Sequence, residues 1–174
     1  MSLKVTEMGL SSRFKTRELA EIAVCTAMLF GAQVALASLP NIEVVTLLIM
    51  LYTHWFKRRT LLIIYVFAIL EGVFYGFGFW WFGYLYVWTV LWAAVTLLGK
   101  KPRTSLFWAV LGGTFGLLFG FFYTFIYLVA GGPATAFAWW IAGIPWDIVH
   151  CIGNFTLILI LYRLLDRLYW KLKK

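Results

Sequence analysis

The sequence predicts an all-α integral membrane protein of six transmembrane helices with both termini in the cytoplasm. Composition is the first reason: 63% of the 174 residues are hydrophobic and 13% are charged, whereas soluble domains contain about 25% charged residues. The second reason is that every Lys and Arg falls within residues 4–17, 57–59, 100–103 or 163–174. Each of the three segments between these groups has room for two spans of about 20 residues.

The four basic segments also predict the orientation. Cytoplasmic loops collect Lys and Arg, so we place all four inside, with 1–17 as a basic cytoplasmic lead and 163–174 as a basic cytoplasmic tail of a single domain, 1–174. The formal net charge of +8 then reflects topology and attraction to anionic lipid, not nucleic-acid binding. Cys25 and Cys151 fall inside predicted spans and predict neither a disulfide nor a zinc site.

The first predicted span covers residues 18–39 and ends before Pro40. Its basic lead and Ala35-Leu36-Ala37 resemble a secretory signal, but the apolar run exceeds the usual signal core of about 7–15 residues, so we expect a retained helix. Small residues recur on it every four positions, at Ala23, Ala27, Gly31 and Ala35. Such a strip is a packing face between membrane helices, used either within this bundle or for docking to a separate membrane subunit.

The next three spans are predicted at 44–56, 60–78 and 79–98. The first of these follows a short outer turn at 38–43 and is itself short. The other two share the most aromatic segment of the chain, 74–86, which the topology places at the outer side.

The fifth span is predicted at 105–129. It has a face for close helix approach, built from Gly112, Gly113, Gly116 and Gly120. We expect the outer connection, 130–145, to form a turn followed by an amphipathic or re-entrant piece. Gly143 and Pro145 then introduce the sixth span, at 146–165.

Ionisable side chains inside spans are expected to have a functional or structural role, because inserting each one near the bilayer centre costs about 2.5–3.5 kcal/mol. Glu71 lies in span three, with Tyr75 one turn later on the same face. Asp147, His150 and Asn154 stand at i, i+3 and i+7 on one face of span six. Together with the aromatic residues around them they predict an outward-facing pocket, since small-molecule sites are mostly apolar with a few polar anchors.

The predicted substrate-binding residues are Asn41, Glu71, Tyr75, Trp81, Tyr84, Trp140, Trp146, Asp147, His150 and Asn154. Structural roles are the alternatives. The aromatic residues suit an interfacial belt, Glu71 suits a buried hydrogen-bonded carboxylate, and Asp147 suits a helix N-cap. Asn154 suits an interhelical hydrogen bond.

Several chemistries are not predicted. The sequence contains no G-x-x-x-x-G-K-[ST] phosphate loop, no H-E-x-x-H metal motif and no G-x-S-x-G nucleophile turn. We therefore expect no ATP site, no enzyme activity, no metal site and no cofactor. Enzyme activity would have to depend on Glu71, Asp147 and His150 alone.

The chain resembles the substrate-binding S components of energy-coupling factor transporters over nearly its whole length. The resemblance is carried by Ala23-x-x-x-Ala27, the outer turn Leu39-Pro40-Asn41, the glycine-rich fifth helix, and residues 143–154 at the start of helix six. It implies a protein of a prokaryotic plasma membrane that captures a water-soluble vitamin or vitamin precursor at the outer face and passes it inward.

The resemblance also implies partners, namely a transmembrane coupling subunit facing Ala23, Ala27 and Gly31, and two ATPase subunits. The aromatic residues with Glu71 and Asp147 suit a ring compound that donates hydrogen bonds or carries positive charge. Thiamine or its pyrimidine part, a pyridoxine-type vitamer, a benzimidazole nucleoside and a corrinoid all remain open. So do three other classes of protein: a self-sufficient permease or channel, a membrane-embedded enzyme, and a structural subunit.

Overall fold

The computed structural model describes residues 16–173, so 1–15 of the predicted basic lead and Lys174 of the tail lie outside the described residues. Every regular element between 16 and 173 is helical, as the sequence predicts. The elements are α1 (Thr16–Leu36), α2 (Val45–Phe56), a 3-10 turn (Lys57–Arg59), α3 (Thr60–Tyr75), α4 (Trp81–Leu98), α5 (Ser105–Leu117) and α6 (Phe119–Leu172).

Three helical segments within 16–173 are long and apolar enough to cross a membrane: Thr16–Leu36, Trp81–Leu98 and Ser105–Leu172. These three segments support the prediction from composition that the chain is a membrane protein. The other two helices are shorter than the roughly 20 residues of a usual span, since α2 has 12 residues and α3 has 16. Helix α3 ends before the predicted residue 78 because Gly76 adopts a φ of 89°, a left-handed conformation that ends the helix.

The outer connection differs from its prediction. Helix α6 is broken at Gly132, where φ is 80° and ψ is −177°, into a first arm, 119–131, and a second arm, 133–172. Pro133 begins the second arm, a position where its missing N–H costs nothing. The predicted turn is thus confined to Gly132, residues 133–145 are helical, and Pro145 lies inside the second arm instead of introducing a span.

The glycine-rich face of α5 packs against the second arm, as predicted. A Cβ atom at Gly116 would lie 2.9 Å from the carbonyl carbon of His150, and one at Gly113 would lie 3.3 Å from the carbonyl oxygen of Cys151. The two backbones can approach this closely only because the side chains are absent. This contact holds His150 at a fixed depth in the bundle.

Helix α2 is the centre of the bundle. Nine of its twelve residues are buried, and it contacts α1, α3, α4 and α6. A helix that is apolar on all sides is a core helix, which agrees with its short length. Its apolar residues fill the bundle below the connecting segment 37–44.

The described basic segments lie at one end of the bundle. Arg59 pairs with Glu18 at 3.0 Å, and Lys173 lies 3.6 Å from Glu21. The indole of Trp92 donates to the carbonyl of Lys57 at 3.0 Å. The loop that contains 100–103 begins at Gly99, beside His54 near the same end of α2. The connecting segment 37–44 lies at the opposite end.

Candidate functional site

The site is built around Glu43, which immediately precedes α2. Its carboxylate accepts three hydrogen bonds: from the Thr46 amide at 2.8 Å, from the Thr46 hydroxyl at 2.5 Å and from His150 Nε2 at 3.0 Å. Asn154 Nδ2 donates to Thr46 Oγ1 at 3.1 Å and extends the chain of contacts. We call these four residues the Glu43 network. It joins the start of α2 to the second arm of α6.

All four members of this network are buried, so their charges and dipoles act on one another with little screening. Burial acts to raise the pKa of Glu43, but hydrogen bonds from His150 and Thr46 and the nearby imidazole hold that pKa below its ordinary value. Glu43 is therefore an ionised carboxylate whose hydrogen-bond partners come from within the protein.

The connecting segment 37–44 is fixed to the second arm by Asn41. This residue adopts a φ of 57°, a left-handed conformation that Asn tolerates better than most residues. Its side-chain amide donates to the carbonyl of Trp146 at 2.9 Å. Segment 37–44 consequently covers the end of the bundle opposite the basic segments and forms a wall for two cavities beneath it.

The smaller cavity measures about 170 Å³ and lies between segment 37–44, α1, α4 and α6. Its polar lining consists of Gln33, Asn41, Glu43, Tyr84, Trp88 and His150. The larger cavity measures about 400 Å³, and its lining includes Asn41, Phe119, Tyr123, Trp139, Trp146 and Asp147. The two cavities share Asn41 and Phe119, so they adjoin.

Asp147 contacts the first arm of α6 from the second arm. Its Oδ1 accepts from the amide of Gly120 at 3.0 Å, just after the irregular residue Leu118 that separates α5 from α6. Asp147 therefore does not cap its own helix, the structural alternative considered above, because it stands in the interior of the second arm. It binds an amide near the start of the other arm instead.

Four buried side-chain atoms have no hydrogen-bond partner among the described residues: Glu71 Oε1, Trp88 Nε1, Asp147 Oδ2 and His150 Nδ1. Leaving a buried polar group unpaired costs about 1–3 kcal/mol. Three of the four atoms belong to residues that line the two cavities. A ligand in the cavities could supply the missing partners.

Five of the ten predicted substrate-binding residues line the cavities: Asn41, Tyr84, Trp146, Asp147 and His150. Asn154 lies behind the cavities in the Glu43 network, as the interhelical alternative predicts. Glu71 is buried but lines neither cavity.

The remaining three predicted residues lie elsewhere. Trp81 donates to the carbonyl of Ala68 at 2.7 Å. Trp140 packs edge-on against Phe121, and Tyr75 is partly exposed beside Phe74.

The sequence also places Glu43 and Trp139 near the predicted pocket, outside the ten residues above, and both line a cavity. Sequence reasoning missed Trp88 in the smaller cavity and Tyr123 in the larger one. Trp88 lies on the buried face of α4, seven positions after the predicted Trp81, and helical spacing could have placed both on one side of that helix. Trp139 adjoins the predicted Trp140, and the helix that begins at Pro133 places Trp139 in the wall of the larger cavity.

The small-residue strip of α1 is exposed in the described part of the chain. Ala23, Ala27 and Gly31 are all exposed, and a Cβ atom at Gly31 would meet nothing within 4 Å. A shallow groove of about 340 Å³ follows Ala23 and Ala27 along the junction of α1 with α3.

Within residues 16–173, no three His, Cys, Asp or Glu side chains are grouped so that they could hold a metal ion. No family model, no curated protein and no solved structure matches this chain.

Proposed function

We propose that this chain is the substrate-binding membrane subunit of an importer of the energy-coupling factor type, capturing a water-soluble vitamin or vitamin precursor at the outer face of a prokaryotic plasma membrane. The observation that carries the proposal is the pair of adjoining cavities under segment 37–44. Three cavity residues, Trp88, Asp147 and His150, each bring a buried polar atom that lacks a partner in the described chain.

The proposed topology has six spans and cytoplasmic termini. The clustering of basic segments at one end supports it, because Lys and Arg collect on the cytoplasmic side. The cavities then lie at the outer end. The short helices α2 and α3 fit this topology as partly shielded core spans within a bundle whose longer helices face lipid.

The size and lining of the cavities fit a small organic ligand. Such sites usually enclose about 300–1,000 Å³ with mostly apolar walls and a few polar anchors. The larger cavity has Trp139, Trp146 and Tyr123 in its walls, and the smaller one has the Glu43 carboxylate and the His150 imidazole. The packed core around α2 fills the bundle toward the basic end, which favours capture over conduction by this chain alone.

The partners would be a transmembrane coupling subunit and two ATPase subunits. The exposed strip of Ala23, Ala27 and Gly31 supports a docking surface for the coupling subunit, since small side chains allow close helix approach in lipid. ATP hydrolysis would belong to the partners, because the sequence contains no phosphate-loop motif.

Ligand binding tests the proposal. The purified chain in detergent is titrated with a panel of water-soluble vitamins and precursors, followed by tryptophan fluorescence. We expect a saturable change at submicromolar concentration of one compound. Trp146→Ala, which removes a wall of the larger cavity, should weaken binding about tenfold, or about 1.4 kcal/mol. Trp140→Ala is the matched control, because Trp140 packs against Phe121 outside both cavities, and it should leave affinity unchanged.

A folded protein that responds to no compound would contradict the proposal, and uptake into liposomes by this chain alone would favour a permease. Docking has its own test. Gly31→Leu adds a side chain where the described chain offers open space. It should leave ligand affinity intact and abolish co-purification with a co-expressed coupling subunit.

A further inference from the structure

We infer that the ligand is a neutral or cationic nitrogen heterocycle that donates a hydrogen bond to Asp147 and accepts one from Trp88, and that carboxylate- or phosphate-bearing analogues are rejected. This inference rests on the proposed function and specifies its substrate class. It follows from which polar atoms in the two cavities are already paired and which are not.

The larger cavity requires a hydrogen-bond donor from its ligand. Asp147 is 3% exposed, and its Oδ1 is occupied by the Gly120 amide. Its Oδ2 has no partner in the described part of the chain. An unpaired carboxylate oxygen accepts hydrogen bonds, so the complementary ligand group is an N–H, an O–H or a cationic nitrogen.

The smaller cavity requires a hydrogen-bond acceptor from its ligand. Trp88 is 2% exposed, and its indole N–H, which can only donate, is unpaired among residues 16–173. His150 also lines this cavity, and its Nδ1 has no partner within residues 16–173. A heterocycle with a ring nitrogen or carbonyl supplies the acceptor that the Trp88 N–H lacks, and an N–H group on the same ligand supplies the donor for Asp147.

Charge excludes anionic ligands. Two carboxylates, Glu43 and Asp147, line the cavities, and no Lys or Arg of the described chain does so. An anionic ligand in these low-dielectric surroundings would be repelled by the carboxylates, with no Lys or Arg of the described linings to compensate the repulsion. The indole and phenol rings of Trp139, Trp146 and Tyr123 are suited instead to a planar or positively charged group, which aromatic faces attract.

The test uses probe pairs that differ in an anionic group: nicotinamide against nicotinate, thiamine against thiamine monophosphate, and pyridoxine against pyridoxine 5′-phosphate. Affinities are measured by calorimetry on the full chain in detergent, beside the wider vitamin panel. In every pair that binds, we expect the non-phosphorylated or amide member to bind at least tenfold more tightly. Asp147→Asn keeps the side-chain shape and should reduce the ratio of the two affinities within each pair at least threefold.

Trp88→Phe keeps a ring but removes the N–H. It should weaken the affinity for the probe that binds about three- to tenfold, which corresponds to the usual contribution of a buried hydrogen bond. Trp92→Phe is the matched control, because Trp92 lies one turn further along α4 and donates to Lys57 at the basic end. Tighter binding of the anionic members, or equal effects of both Trp variants, would overturn this inference and leave the proposed function standing. Absence of binding by every pair and every panel compound would overturn both.

Discussion

Two buried glutamates in this chain have opposite surroundings. The Glu43 carboxylate accepts three hydrogen bonds and lies beside an imidazole. Glu71 is also buried, yet its Oε1 has no partner among the described residues. Removing one partner of a buried hydrogen-bonded pair lowers the stability of the fold, because the other partner stays buried and unpaired. A buried carboxylate without a partner already lowers the stability of the wild-type fold, so its removal has no such effect. Glu43 therefore stabilises the fold, and Glu71 does not.

The same substitution at both positions tests this contrast. Glu43→Met should lower the free energy of unfolding by about 3–5 kcal/mol, because the Thr46 and His150 donors lose their acceptor. Glu71→Met should leave stability unchanged within about 1 kcal/mol, or raise it, because an apolar side chain of similar volume replaces an unpaired carboxylate. Unfolding in detergent followed by circular dichroism measures both. Equal losses in the two variants would contradict the assignment.

At the scale of elements, the contact between α5 and the second arm of α6 decides where the site lies. Gly116 is pressed against the backbone of His150, and Gly120 lies against the carboxylate of Asp147. The face that carries these two glycines therefore sets the distance between the arms. It also sets the position of two cavity residues.

Gly116→Ala should both destabilise the protein and weaken ligand binding. Its Cβ would lie 2.9 Å from backbone atoms of His150 that cannot rotate away, and overpacking of this kind costs about 1–3 kcal/mol. Gly31→Ala is the control in α1, where a Cβ meets nothing within 4 Å, and it should be neutral or stabilising because Ala favours helix. Thermal unfolding and ligand titration measure the two effects. Wild-type affinity in a Gly116→Ala protein would show that this face does not position the site.

The sequence predicted elements better than it predicted their ends. Apolar runs between basic segments gave the helices, and the glycine spacing gave the close face of α5. The turn predicted at the start of 130–145 corresponds to the break at Gly132. The uninterrupted helix through Pro145 was not predicted, because Gly and Pro usually mark a helix boundary. The hydrogen bonds of Glu43 could not be predicted, because they depend on how segment 37–44 folds back on the second arm.

At the scale of the whole molecule, charge and cavities occupy opposite ends. Arg59 and Lys173 contact acidic residues of α1 at one end, and Asn41 joins segment 37–44 to α6 at the other. If the basic end is cytoplasmic, as proposed, then the two ends face different compartments.

Cysteine labelling in intact cells tests this orientation. Cys25 and Cys151 are first replaced by Ala, and single cysteines are introduced at Ser38 in the connecting segment and at Thr104 beside the basic loop. A membrane-impermeant maleimide should label the cysteine at position 38 from outside and should label that at 104 only after the membrane is opened. The reverse pattern, or outside labelling of both, would contradict the proposed topology.

The second arm of α6 also has a mechanical consequence. From Trp146 to Leu172 it is an unbroken helix about 40 Å long. Its far end is held by the stacked rings of Tyr169 and Trp55, 3.9 Å apart, and Asp147 lies near its other end. If this helix tilted by about 10° about the aromatic stack, Asp147 would be displaced sideways by about 6 Å. A partner that tilted this helix from its basic end would thereby change the width of the larger cavity without contacting it.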